Sequence, residues 1–207
     1  NILLKIPFIK QNMDKCGLSS TYRFIKTDNM SYYNRIDSII AHDENLSHNW
    51  EPLINLDGKL KKWPIYFDYK YSFNSTDVNR FNDPQDTTVE NAGNQKKEYK
   101  NIWTAKYTIP GKSDRELNLF NRWTIALKGD MVMSLNVNYN VSETEYDNKD
   151  LKPVRNWTFS IHPEINYNFT DYVDGKLEYI FDKNYQSETE TLLTNNKLSL
   201  TIKLSLK

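Results

Sequence analysis

From Trp123 to Val141 the odd-numbered residues are Trp123, Ile125, Leu127, Gly129, Met131, Met133, Leu135, Val137, Tyr139 and Val141, while the even-numbered ones include Thr124, Lys128, Asp130, Ser134, Asn136, Asn138 and Asn140. A period of two held over so long a run rules out a helix, which would mix both classes on every face. It fits an extended strand with one apolar and one polar side. The same alternation recurs in Trp157, Phe159, Ile161, Pro163, Ile165, Tyr167 and Phe169, opposed by Thr158, Ser160, His162, Glu164, Asn166 and Asn168. Leu198, Leu200, Ile202, Leu204 and Leu206 likewise oppose Lys197, Ser199, Thr201, Lys203 and Ser205.

Read this way, the chain is all-β, a single antiparallel transmembrane β-barrel segment over 1–207 of about seven to nine long meandering strands. The strands fall near 18–27, 50–60, 63–75, 99–109, 121–141, 156–169, 175–185 and 196–206, and residues 1–9 can carry the end of one more. Lys128, Gly129 and Asp130 offer a turn that would split the 121–141 run. The apolar parity does not reset across them, which favours one strand. Pro163 has no amide hydrogen, so a bulge or an unpaired position is expected there. Residues 28–49, 76–98, 142–155 and 186–195 are long and polar, whereas 61–62, 110–120 and 170–174 are shorter. That is the long-loop, short-turn alternation of outer-membrane barrels, and it puts the C-terminus on the periplasmic side. The abrupt start at Asn1, with no signal peptide, reads as a piece of a longer protein.

Alternation alone also suits a soluble sandwich with a dry interior. Three features favour the membrane. The runs exceed the usual five or six residues of soluble strands. Trp50, Trp63, Trp103, Trp123 and Trp157 sit near strand ends, as an aromatic girdle would. The polar side holds Asn, Ser, Thr, Lys and Glu, which suit a wet lumen. Lumen-facing positions are therefore Lys128, Asp130, Asn136, Glu164, Lys176, Glu178 and Lys203. Lipid-facing or girdle positions are Trp123, Leu135, Tyr139, Trp157, Phe169 and Leu204.

Little points to chemistry. Equal numbers of basic and acidic residues, 27 of each, argue against a nucleic-acid surface. Cys16 is the only cysteine, so neither an internal disulfide nor a cysteine metal cluster can form. His42, His48 and His162 lack metal-ligand spacing, and His162 with Glu164 reads as a pair on the polar face. Asp182, Glu188 and Glu190 do not match a calcium loop. No phosphate loop or nucleophile motif is present, so the chain is not expected to be an enzyme or to carry a cofactor.

The stretch from Trp50 to Lys61, WEPLINLDGKLK, resembles the W-x-P-L-I-G-L-D stretch near the C-terminus of the SprA (Sov) family, with Asn55 where that pattern has Gly. The order of later segments is similar too: YSFNST ending a strand, LNVNY from Leu135, INYNF from Ile165, LEYIFDK from Leu177 and the terminal KLSLTIKL from Lys197. The resemblance spans roughly 50–207. It implies the closing strands of a single-chain barrel of about 36 strands, the outer-membrane translocon of type 9 secretion and gliding motility. Its partners would be the remaining strands of that barrel, outer-membrane lipid, a cargo-receiving barrel protein, a periplasmic plug protein and secreted cargo. The alternatives are a self-contained small outer-membrane barrel serving as anchor, adhesin or small-solute porin, and a soluble β-sandwich that binds at the cell surface.

Overall fold

A computed structural model describes residues 2–32, 39–82, 93–111, 116–119, 123–126, 129–147, 151–170 and 173–204. The chain opens with a 3-10 turn (Ile2–Lys5) and a short helix, α1 (Pro7–Asn12), where a strand end was expected. Pro7 at the first helical position favours this start. Then come β1 (Met13–Ser19), β2 (Tyr22–Tyr32), β3 (Ile39–Leu60), β4 (Ile65–Asn82), β5 (Asn94–Ile109), β6 (Glu116–Leu119), β7 (Trp123–Ala126), β8 (Met131–Tyr146), β9 (Val154–Thr170), β10 (Val173–Gln186) and β11 (Thr191–Leu204). Among the described residues no helix is long and apolar enough to cross a membrane.

Nine strands form one antiparallel sheet in the order β1-β3-β4-β5-β8-β9-β10-β11, with β2 also on β3. β1 and β2 are two halves of one rank, since β1 pairs with Leu60 to Asn55 of β3 and β2 with Trp50 to Ile39. Their break at Ser20 and Thr21 faces a bulge in β3. There residues 51–53 stand opposite a single residue of β4, and the Glu51–Pro52 peptide is cis. The sheet is therefore an eight-rank up-and-down meander. It does not close into a barrel: β1, β2 and β11 remain its edges.

Three expectations change. The 121–141 run is not one strand. Its first part, Trp123–Ala126, pairs with β6 in a separate hairpin, and only Met131 onward joins the sheet. At the break the chain is held close to its neighbours: a Cβ on Gly129 would lie 1.9 Å from the carbonyl oxygen of Asn168, and Gly111 N–H donates to the Asp130 carboxylate at 2.8 Å. The connection from β5 to β8 is thus 110–130, the longest of all, on the side expected to carry only short turns. Conversely, the polar stretches read as long loops are largely strand. β3 begins at Ile39, β4 runs to Asn82, β8 to Tyr146, and β10 reaches β11 through the tight turn 187–190. The expectation of a bulge or an unpaired position at Pro163 is met in its second form. Pro163 pairs with Leu135 on β8, while on the β10 side the pairs Ile161–Phe181 and Glu164–Glu178 share one register with no pairs between them. The missing donor leaves a gap in that ladder only.

The molecule has almost no core. Among the described residues the buried apolar side chains are Met13, Cys16, Met131, Val141 and Tyr167. The chain exposes 15251 Å², whereas a compact monomer of its mass would expose about 10,000 Å². No second layer covers either face of the sheet among the described elements.

Candidate functional site

With no catalytic cluster to centre on among the described residues, the functional surface is the sheet itself, whose register sorts side chains largely by polarity, with Asn101 and Lys183 on the apolar face and Ile102 and Ile180 on the polar one. On one face, a single row of cross-strand partners runs Tyr22, Trp50, Phe73, Tyr99, Val141, Trp157, Tyr185 and Leu192. Aromatic rings touch along it: Tyr22 and Trp50 lie 4.4 Å apart, Phe73 and Tyr99 5.1 Å, Trp157 and Tyr185 6.0 Å. Further down each strand the same face presents Leu56, Tyr69, Trp103, Val137, Ile161 and Phe181, and then the row Ile109, Met131, Tyr167, Gly175 and Ile202. Tyr167 and Phe169 meet edge to face at 4.6 Å near that second end. Beyond the first row the face turns charged, with Lys97 opposite Glu143 and Glu143 bonded to Arg155 at 3.0 Å.

On β8 this apolar band runs from Val141 to Met131, about eleven residues or about 34 Å of strand. The band is not level with the hydrogen-bonded rows. On β2 it reaches past Tyr22 to Phe24, whereas on β11 Thr194 and Asn196 still occupy the same face and the apolar run starts at Leu198. The displacement is about six to eight residues across eight ranks, which at ~3.3 Å per residue and ~4.8 Å per strand is a slope of about 30–40°. Strands tilted by that much give a band about 26–29 Å tall. The band is open to its surroundings, with Trp103 54% exposed, Leu177 41%, Leu200 71% and Leu204 68%.

The opposite face is wet in composition. Thr104 Oγ1 donates to Asn136 Oδ1 at 3.0 Å, Asn140 Nδ2 to Thr158 Oγ1 at 3.3 Å, and Ser47 and Thr76 bond at 3.2 Å. Between β9 and β10, Lys176 Nζ lies 2.8 Å from Glu164 and 2.7 Å from Glu178, and Asn166 Nδ2 donates to Glu164. The β9–β10 register sets Glu164 directly opposite Glu178, so Lys176 relieves a like-charge contact. His162 Nε2 is 3.4 Å from Glu178 but without hydrogen-bond geometry. His162, Glu164 and Glu178 offer atoms within 4.8 Å of one another, enough in principle for a cation. The Lys176 ammonium already sits between the two carboxylates. The buried polar side-chain atoms with no hydrogen-bond partner among the described residues, on Asn55, Asn74 and His162, all belong to this face, as suits a surface solvated by water.

No protein-family model matches this chain, and the comparison with curated proteins finds no match.

The positions singled out in the sequence divide as follows. Asn136, Glu164, Lys176, Glu178 and Lys203 share the polar face, and Leu135, Tyr139, Trp157, Phe169 and Leu204 share the apolar one. Asp130 is not in β8: it precedes the strand, and its carboxylate accepts from the Gly111 amide. Trp123 is not in the sheet either, since it pairs with Leu119 in the hairpin. Lys128 lies outside the described residues. The sequence reading saw His162 with Glu164 but missed Glu178 as the third member. Only the register between β9 and β10 brings it there, and nothing local announces that register.

Proposed function

We propose that this chain forms wall strands of an outer-membrane β-barrel that conducts protein, the C-terminal part of a translocon of the type 9 secretion kind. The apolar face meets lipid and the polar face lines a hydrated passage. The observation that carries this reading is the tilted apolar band, edged by aromatic rings, on a sheet with no core. In water such a surface would be a large uncovered patch, far above what soluble monomers tolerate. In a bilayer it is the lipid contact, and the ladder satisfies the backbone within the wall.

The polar face suits passage rather than capture. It carries both signs of charge, largely paired with each other, and amide and hydroxyl groups that hold water. Its exposed apolar side chains, Ile25, Tyr66 and Leu193 among them, stand singly among polar partners, so they offer a moving polypeptide little to adhere to. No reaction is required of it, and no cofactor. The resemblance of Trp50 to Lys61 to the SprA family supplies the translocon part, together with a cargo-receiving barrel protein, a periplasmic plug and secreted proteins as its partners.

The test is the mass of the native polypeptide carrying this segment in isolated outer membranes. We expect a species far above 24.5 kDa, on the order of 200 kDa for a very large barrel. A membrane species near 24.5 kDa would remove the translocon and leave a small barrel. Recovery only outside the membrane fraction would remove the wall itself.

A further inference from the structure

We infer that the segment through α1 and the turn 61–64 between β3 and β4 form one basic, aromatic platform that binds the phosphate-bearing headgroups of negatively charged phospholipids. The inference rests on the membrane-wall reading above and names a lipid class for a part of the molecule that is not wall. Residues 1–12 and 61–64 hold four lysines, Lys5, Lys10, Lys61 and Lys62, and no acidic residue, in a chain whose basic and acidic residues are equal in number. The first acid after α1, Asp14, is drawn to Lys59 at 3.7 Å. The two pieces are tied together: Lys61 N–H donates to the Asn12 carbonyl at 3.0 Å, and Lys61 Nζ donates to the Lys10 carbonyl. No residue of α1 is buried. Phe8 is 72% exposed and Trp63 59%, and Ile6 is exposed beside them in sequence.

The register fixes the level of this platform. From Phe24 on β2 through Trp50 and Phe73 to Ile65 on β4, the apolar face spans as many rows as it does from Val141 to Met131 on β8. On these strands the band therefore ends at Ile65, and Trp63 with the two lysines before it lies just past that end. Exposed rings and ammonium groups at the edge of an apolar belt suit the zone where acyl chains give way to headgroups. The rings tolerate a half-apolar setting, and the ammonium groups pair with phosphate. An acidic protein surface would satisfy the lysines as well. The position of Trp63 at the band's edge, with α1 tied beside it, selects the headgroup instead, because lipid already lies there.

A fluorophore on Gln11→Cys, in a Cys16→Ser background of the intact protein in phosphatidylcholine vesicles, tests this. The quenchers are spin-labelled phosphatidylglycerol and spin-labelled phosphatidylcholine. We expect quenching several-fold stronger by the anionic lipid at equal mole fraction. The preference should vanish in high salt and when the four lysines are changed to Gln, and persist when they are changed to Arg. Equal quenching by the two lipids in the native protein would overturn the charge selection. Competition by millimolar inorganic phosphate would overturn the lipid in favour of a free-anion site. Quenching by neither lipid would overturn the platform, and protection of the fluorophore by a polyglutamate peptide would then assign the lysines to an acidic protein. A label on Leu135→Cys separates the two readings. Lipid quenching there survives if only the platform fails, and its loss would sink the wall on which the inference rests.

Discussion

At the scale of single residues, neighbours one position apart in β8 have opposite environments. Leu135 is 41% exposed on the apolar face, and Asn136 accepts a hydrogen bond from Thr104 on the polar one. Leu135→Arg should reduce assembly by about 2–4 kcal/mol if that face meets mid-bilayer, and Asn136→Arg should be nearly silent. Folded yields of the two variants in lipid vesicles measure this, and equal yields would contradict the face assignment. In the network between β9 and β10, Lys176→Met leaves Glu164 facing Glu178 uncompensated and should lower the urea midpoint. Adding Glu164→Gln should recover most of the loss, a non-additivity expected of groups in one network. Gly129 has no room for a side chain against Asn168. Gly129→Ala should therefore destabilise by about 1–3 kcal/mol, read from the same unfolding curves.

At the scale of elements, the alternating runs at 50–60, 63–75, 99–109, 156–169, 175–185 and 196–206 correspond to strands of the sheet, because polarity on the two sides of a strand is written directly into a period of two. The ends were less legible. β3 starts well before Trp50 and β4 runs well past Phe73 because beyond the aromatic row both sides are wet. A strand with two polar sides looks like a loop. The 121–141 run failed for the opposite reason. Gly129 continues the apolar parity, but its close approach to the Asn168 backbone is a long-range contact that parity cannot carry. The aromatic row was visible only as tryptophans near strand ends, and its alignment across ranks needed the register. Trp157, stacked on Tyr185 at 22° between planes, should contribute about 1–2 kcal/mol to insertion. Trp157→Ala should shift unfolding in vesicles by that amount, while a change of Thr158 to Ala on the other face should shift it little.

At the scale of the molecule, the sequence made an alternating all-β chain plain but not how the sheet ends. Closure depends on curvature summed over all ranks, which no local pattern encodes. The tilt was equally hidden. It emerges from comparing where the apolar run begins on β2, at Phe24, and on β11, at Leu198, relative to shared rows. A sheet without a core, with one apolar face sloping by about 30–40°, is organised by what surrounds it rather than by its own interior.

The most direct test of that claim is a single-cysteine scan of Met131 to Val141 in a Cys16→Ser background, with a fluorophore on each cysteine and the protein in vesicles. Quenching by lipid-borne groups should peak at the odd positions and quenching by an aqueous anion at the even ones, in strict alternation. Uniform aqueous quenching at all positions, or lipid quenching at the even ones, would contradict the account.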